Sequence, residues 1–288
     1  MKCTPIWGCD VQQRSESMPV PEQTERKPAH PFSMWAVPAW DRIKPFVAIA
    51  ALFFVWEIGV RFGMIDGRLF PAPSAVGTSL LQLAKLGFLW RDVQDSVVRI
   101  SVGFAIATVI ATVLAVLLAR SEKLAAYAIP MIDLIRPISV IAWIPLAILW
   151  FGLGNKPAWF IIFLGSFFPI FTNTYLGIRS VDHIHVQVAE SMGADRWLFT
   201  KEVLFPSALP YILTGMRIGL GVGWMCVIAA EMIAATSGLG YMIQLARTLI
   251  ETEKVIAGMI VIGVIGYAMN NAMLYAEAKL TPWKRKPS

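Results

Sequence analysis

Polarity along this chain changes in blocks. Residues 1–43 mix Pro, Glu, Arg, Gln and Ser with only short apolar runs. From Lys44 onward, long apolar stretches alternate with short polar connections. Each stretch has roughly the 20 residues that an α-helix, rising 1.5 Å per residue, needs to cross a bilayer. The pattern predicts spans at about 44–62, 100–119, 124–151, 157–177, 208–231 and 255–276. That is an all-α, polytopic helical membrane protein with six predicted transmembrane helices. The expected division is a disordered N-terminal tail (1–43), a transmembrane domain (44–277) with one long connection (178–207), and a basic tail (278–288).

Several spans carry internal signals. Glu57 and Arg61 stand four residues apart near one end of the first, a spacing that allows them to pair. Residues 63–98 are amphipathic and hold the turn FPAPSAV, which suits a helix lying at the interface. Span 100–119 contains no charge. Span 124–151 holds Pro130, Pro137 and Pro145 with Asp133 and Arg136. Proline inside a helix removes a hydrogen bond, so a broken or sharply bent segment is expected, tolerated only where it lines a cavity or packs in protein. In span 208–231, Gly215, Gly219 and Gly223 recur at four-residue spacing, a packing face that permits close helix approach. Asn270 and Asn271 close the last span.

Composition agrees with lipid as the solvent. The 288 residues are 57% hydrophobic and 15% charged, against roughly 25% charged in soluble domains. Mean hydropathy is +0.62. The net charge of +6 is placed asymmetrically: fifteen Lys and Arg, counting Lys44, fall on the side of the N-terminus, and six on the other. Cytoplasmic connections collect such residues, so both termini are expected in the cytoplasm, with the basic excess facing acidic membrane lipid and no nucleic acid. Residues 1–43 lack the apolar core of a cleavable signal. Trp35, Trp40 and Phe46 suit interfacial anchoring. Cys3, Cys9 and Cys226 form neither a disulfide framework nor a metal site, and no metal ligand set is expected.

The connection 178–207 reads as two short helices joined at a glycine. Val186–Met192 suits a helix that Gly193 ends, and Asp195 can cap a second, Arg196–Val203, which Pro206 terminates. Such an elbow resembles the "EAA" loop of ABC importer permeases, whose pattern is E-A-A, three residues, G, nine residues, I-x-L-P. Here Gln187-Val188-Ala189 is followed by Glu190-Ser191-Met192, Gly193 and Ala194, with Pro206 at the family's spacing. Gln187 stands where the family prefers Glu, Val188 replaces Ala, and Phe205 replaces Leu. The runs LFPAPSAV, LIRPISVIAWIPLAILWFGLGNKPAWFIIFLGSFFPI, GIRSVD, LPYILTGMRIGLGVGW and AAEMIAATSGLGYMI resemble the nitrate/sulfonate/taurine branch, and the closing LTPW resembles taurine permeases.

This resemblance implies the type I importer permease fold in a bacterial inner membrane. It implies a homodimer, two ABC ATPase subunits that bind ATP and Mg²⁺, and a periplasmic or lipoprotein binding protein. The chain would hold no cofactor of its own, and it has no G-x-x-x-x-G-K-[ST] phosphate loop. Residues 187–194 would dock on the ATPase and transmit its closure as alternating access. The implied cargo is a small anion: sulfonate or taurine first, nitrate or bicarbonate next, a thiamine precursor last.

For the path, the candidates are Arg136, Ser139, Trp143, Thr172, Asn173 and Arg217, with unpaired backbone N–H groups around Ile138–Val140. Each has a plainer reading. Asp133 and Arg136 can neutralise each other, Arg217 can snorkel to the cytoplasmic face, and polar residues can bond neighbouring helices. Glu231 is expected at the opposite interface, and His183 and His185 are expected to be solvated. A stand-alone secondary transporter would need a second broken helix matching the third span, and none is found. A membrane-embedded enzyme would need a cluster of His, Asp or Glu, also absent from this sequence.

Overall fold

In the computed structural model, residues 39–64, 66–67, 69–181, 195, 198 and 200–282 are described. They are helices and connecting turns, with no strand among them. The chain divides into Met1–Leu52 and Phe53–Ser288. Of the first unit only the opening half of α1 (Ala39–Arg61) is described.

Four helices are long and apolar enough to cross a membrane: α3 (Phe88–Arg120), α6 (Asn155–Arg179), α7 (Phe205–Ala234) and α9 (Thr252–Leu280). A fifth crossing arises if α4 (Glu122–Ile135) and the segment Val140–Phe151 count as one bent span. The predicted span 44–62 lies in α1. Two shorter helices, α2 (Pro73–Lys85) and α8 (Leu239–Thr248), pack against this set. α2 buries Val76, Ser79 and Leu83 on one face. The amphipathic reading of 63–98 holds for α2 but not beyond it. From Phe88 the chain is already in α3, whose 33 residues extend about 50 Å. The charged opening turns of α3 stay helical because their polar side chains find buried partners on other helices, described below.

The third span breaks at one proline only. α4 keeps Pro130 in its interior and ends at Ile135. Pro137 has no N–H to continue the ladder, and its ring opposes the carbonyl four residues back. After a turn, Val140–Trp143 forms a single 3-10 turn and α5 (Ile144–Phe151) begins with Pro145 in its first turn, where a missing N–H costs nothing. The two arms make an angle of 87°.

α6 and α7 are the closest-packed pair. A Cβ on Gly219 would fall 2.9 Å from Ile170 Cγ1 and 3.0 Å from the Ser166 carbonyl oxygen. On Gly215 it would lie 2.8 Å from Asn173 Cβ, and on Gly223 2.5 Å from Ser166 Oγ. Glycine on α6 reciprocates: a Cβ on Gly165 would meet Cys226 Sγ at 2.6 Å. Ser166 Oγ donates to the Gly219 carbonyl at 3.0 Å across the contact. Lipid tails give helices no hydrophobic reason to associate, so contact of this quality is what holds them together. Gly219→Leu is therefore expected to cost about 1–3 kcal/mol by overpacking. Gly221→Leu on the same helix, where nothing lies within 4 Å, should leave the unfolding temperature of the detergent-purified protein unchanged.

Pro206 does not end a helix. A π-helical turn, Thr200–Leu204, runs straight into α7, and Pro206 occupies the first turn of that helix. The first turn is the one helical position where proline's locked φ helps and its missing donor is not needed.

Candidate functional site

The candidate residues of the third span do not cluster. Asp133 and Arg136 are both exposed, and no ion pair joins them. Ser139 is exposed as well. Trp143 is half-buried, edge-on to Phe160 with ring centroids 6.5 Å apart. The amides expected to be free are partly used: Ile138 N donates to the Ile135 carbonyl at 3.0 Å. Thr172 and Asn173 lie 12 residues or more beyond Phe160 on α6, about 18 Å further along its axis. Asn173 Nδ2 is spent on the Pro169 carbonyl at 2.8 Å, and its Cβ is the surface against which Gly215 packs. A single subunit thus spreads these residues over two ends of α6.

Arg217 has a partner that its sequence neighbourhood does not suggest. Its Nη1 lies 3.4 Å from Glu277 Oε2, joining α7 to α9, and Glu277 is buried. Besides any reach toward the cytoplasmic face, the Arg217 guanidinium ties two helices together.

The residues proposed to form the elbow, Gln187, Val188, Ala189, Glu190, Ser191, Met192, Gly193 and Ala194, lie outside the described residues, as do His183 and His185. What the structure describes is the ground on which that connection stands. It leaves α6 after Arg179, whose Nη1 donates to Tyr175 Oη at 2.9 Å and whose guanidinium reaches Glu122 of α4 at 3.8 Å. It rejoins at the π turn leading into α7. Its two ends are thus fixed to the two helices joined by the glycine seam.

The opposite end of the bundle holds a buried polar clasp, and here an expectation fails. Glu231 is not exposed; it is fully buried. Arg99 of α3, 5% exposed, donates from Nη1 to Glu231 Oε1 at 2.7 Å. Ser96, one turn earlier on α3, places its hydroxyl 2.8 Å from both carboxylate oxygens. Gly240 N of α8 donates to Oε2 at 3.0 Å. The guanidinium also serves Asn155 Oδ1 at 2.8 Å, the Ser237 carbonyl at 2.7 Å and Ser237 Oγ at 2.8 Å. Four of its five N–H groups are thereby occupied. Ser96 Oγ accepts from Leu239 N at 3.0 Å, and Asp92 accepts from Gly238 N at 3.0 Å. α3, α6, α7 and α8 meet through this set.

The turn that closes the clasp requires glycine. Gly238 has φ +109°, and a Cβ there would fall 2.5 Å from Glu231 Cδ and 2.6 Å from Arg99 Nη1. Sequence reasoning placed Arg99 just outside the second span and so missed it. The available signal was Ser96 and Arg99 three residues apart on one face, at the head of a charge-free stretch, with an acid at the end of another span. Among the described residues no group of His, Cys, Asp and Glu could hold a metal ion.

Residues 107–282 match the family of binding-protein-dependent transport system inner membrane components. The chain belongs to that family. Among related permeases, the taurine transport system permease protein TauC of Escherichia coli K12 is 35% identical over 82% of this chain and 87% of its own length. The putative aliphatic sulfonates transport permease protein SsuC of Bacillus subtilis 168 is 30% identical over 91% of this chain and 93% of its own. The nitrate import permease protein NrtB of Synechocystis is 29% identical over 85% and 91%. Among solved structures, the permease shares its fold with chains of the inward-facing MetNI methionine ABC transporter (TM-score 0.59, 18% identity, 67% of this chain and 96% of the other). A chain of an amino acid ABC transporter solved with histidines gives TM-score 0.55 at 15% identity, over 70% and 97%.

This permease is therefore a multi-pass inner-membrane component of an ABC importer, of the taurine, sulfonate and nitrate group, and works with ATPase partners. The family match starts at Ala107, inside α3. Glu231 lies within it, whereas Ser96 and Arg99 lie ahead of it.

Proposed function

We propose that this permease imports a small anion by alternating access, as a homodimer above two ATPase subunits that bind ATP and Mg²⁺. An aliphatic sulfonate or taurine is the first candidate, nitrate or bicarbonate the next. A periplasmic or lipoprotein binding protein delivers the cargo. Both termini are cytoplasmic, residues 1–43 form a tail outside the 44–277 transmembrane domain, and residues 278–288 form a basic tail. The observation that carries the choice of cargo is the similarity to TauC and SsuC, 35% and 30% identical over 82% and 91% of this chain.

Coupling runs through residues 187–194, with Gly193 and Pro206 at the spacing of the ATPase-docking loop. The geometry of α6 and α7 supports this reading. An elbow anchored at both ends on one tightly sealed helix pair moves both helices when it is pushed, which is what a rigid connector between two sites requires. Arg136, Ser139 and Trp143 at the break, with Thr172, Asn173 and Arg217, are proposed to face the path as the subunits rearrange.

Reconstitution of the complex with its own binding protein tests the cargo. Uptake and ATPase stimulation are measured with taurine, an alkanesulfonate, nitrate, bicarbonate, a thiamine precursor, a sugar and a cationic solute. The largest response is expected from the sulfonates. A largest response to a sugar or a cation overturns the anion reading.

A further inference from the structure

At the end of the bundle away from Arg179, a groove of about 540 Å³ opens between the first turns of α3 and α6. Trp90, Gln94, Asp95 and Arg99 line it from α3, Asn155 and Trp159 from α6, and Val93, Val97 and Val98 form its apolar flank. We propose that this groove binds a zwitterionic headgroup, a primary ammonium joined by a short chain to a phosphate, supplied by phosphatidylethanolamine of that leaflet.

Depth is the first argument. The groove sits where α3 passes from its charged opening turns to the charge-free stretch after Arg99, which is the level of lipid headgroups. Tryptophan collects at that level because its ring is apolar and its N–H polar.

Charge is the second. Arg99 is neutralised from behind by Glu231 at 2.7 Å, so Asp95 sets the sign of the groove. A bare anion is disfavoured there and an ammonium is drawn in. The indole of Trp90, 67% exposed, offers the same ammonium its negative face. The headgroup also needs donors for its phosphate. Arg99 Nε holds Asn155 Oδ1, which turns the Nδ2 donors of that amide elsewhere. Gln94 brings a second amide.

Continuity with the bilayer is the third. Below Val98, the exposed residues Ile106, Val109, Val113 and Leu117 run on down α3 as an apolar track for an acyl chain. A free solute would have no use for that track.

The test is native mass spectrometry of the full-length protein, exchanged separately into phosphatidylethanolamine and phosphatidylglycerol with identical acyl chains. Phosphatidylethanolamine is expected to stay bound roughly tenfold more strongly, the worth of one charge-assisted contact. Asp95→Asn and Trp90→Leu should each erase that preference without changing the thermal midpoint of the delipidated protein. Equal retention of the two lipids, or an unchanged preference in Asp95→Asn, overturns the proposal. Taurine carries the same ammonium-to-oxyanion chemistry. If millimolar taurine displaces the lipid one for one, the groove is a solute site and the lipid assignment falls.

Discussion

Replacing Glu231 with alanine is expected to cost about 3–5 kcal/mol, because it strands a buried guanidinium without its counter-charge. Arg99 is only 5% exposed, and its remaining partners are neutral oxygens on Asn155 and Ser237. Ser96 Oγ and Gly240 N would lose their acceptor in the same step. The measurement is the thermal midpoint and the folded yield of the detergent-purified protein. Glu231→Gln keeps the shape and an acceptor oxygen but not the charge, so it should fall between. The double change Arg99→Met with Glu231→Leu removes both charges together and should recover part of the loss, since an apolar pair of similar volume needs no counter-charge. A Glu231→Ala protein as stable as the parent would show that the clasp does not hold the bundle.

The second large effect is functional. Gly193→Pro or Glu190→Arg is expected to abolish co-purification of the ATPase subunits while leaving membrane insertion intact. Proline would remove a backbone donor and fix φ where the elbow needs freedom, and a reversed charge would repel whatever cation meets the carboxylate. Insertion is set by the apolar spans and should not respond. ATPase co-purification at the parental level from both variants would count against docking at this loop. Because Gln187 already replaces the family's acidic residue, Glu190 is the nearest remaining carboxylate in the elbow.

Features that depend on one stretch of chain were readable before any tertiary contact. The four-residue spacing of Gly215, Gly219 and Gly223 forces them onto one face whatever lies opposite, and α6 lies opposite. The break at Pro137 follows from chemistry local to that residue, although the sequence alone did not distinguish it from Pro130, which α4 accommodates, or Pro145, which starts α5. The same ring breaks, tolerates or begins a helix according to where the neighbouring turns start. Pro206 makes the point again at the head of α7.

Pairings between distant residues were not readable. Arg99 and Glu231 stand 132 positions apart, and Arg217 meets Glu277 across two helices. Taken singly, each looked like a charge at a membrane boundary. Only the crossing of α3 with α7, and of α7 with α9, brings the two members of each pair together.

By itself, then, the sequence determined an all-helical membrane chain, its apolar stretches, one proline break and, through the spacing in 187–206, its kinship with ABC importer permeases. Hydropathy and helical period act along the chain, so they need no knowledge of neighbours. The tertiary structure decided that α3 begins at Phe88, that Glu231 is buried, that Gly238 must lack a side chain, and that a polar groove opens beside Asn155. These depend on which helix faces meet. In a bilayer that choice is made by close packing and by satisfying buried polar groups, since neighbouring helices and lipid are equally apolar.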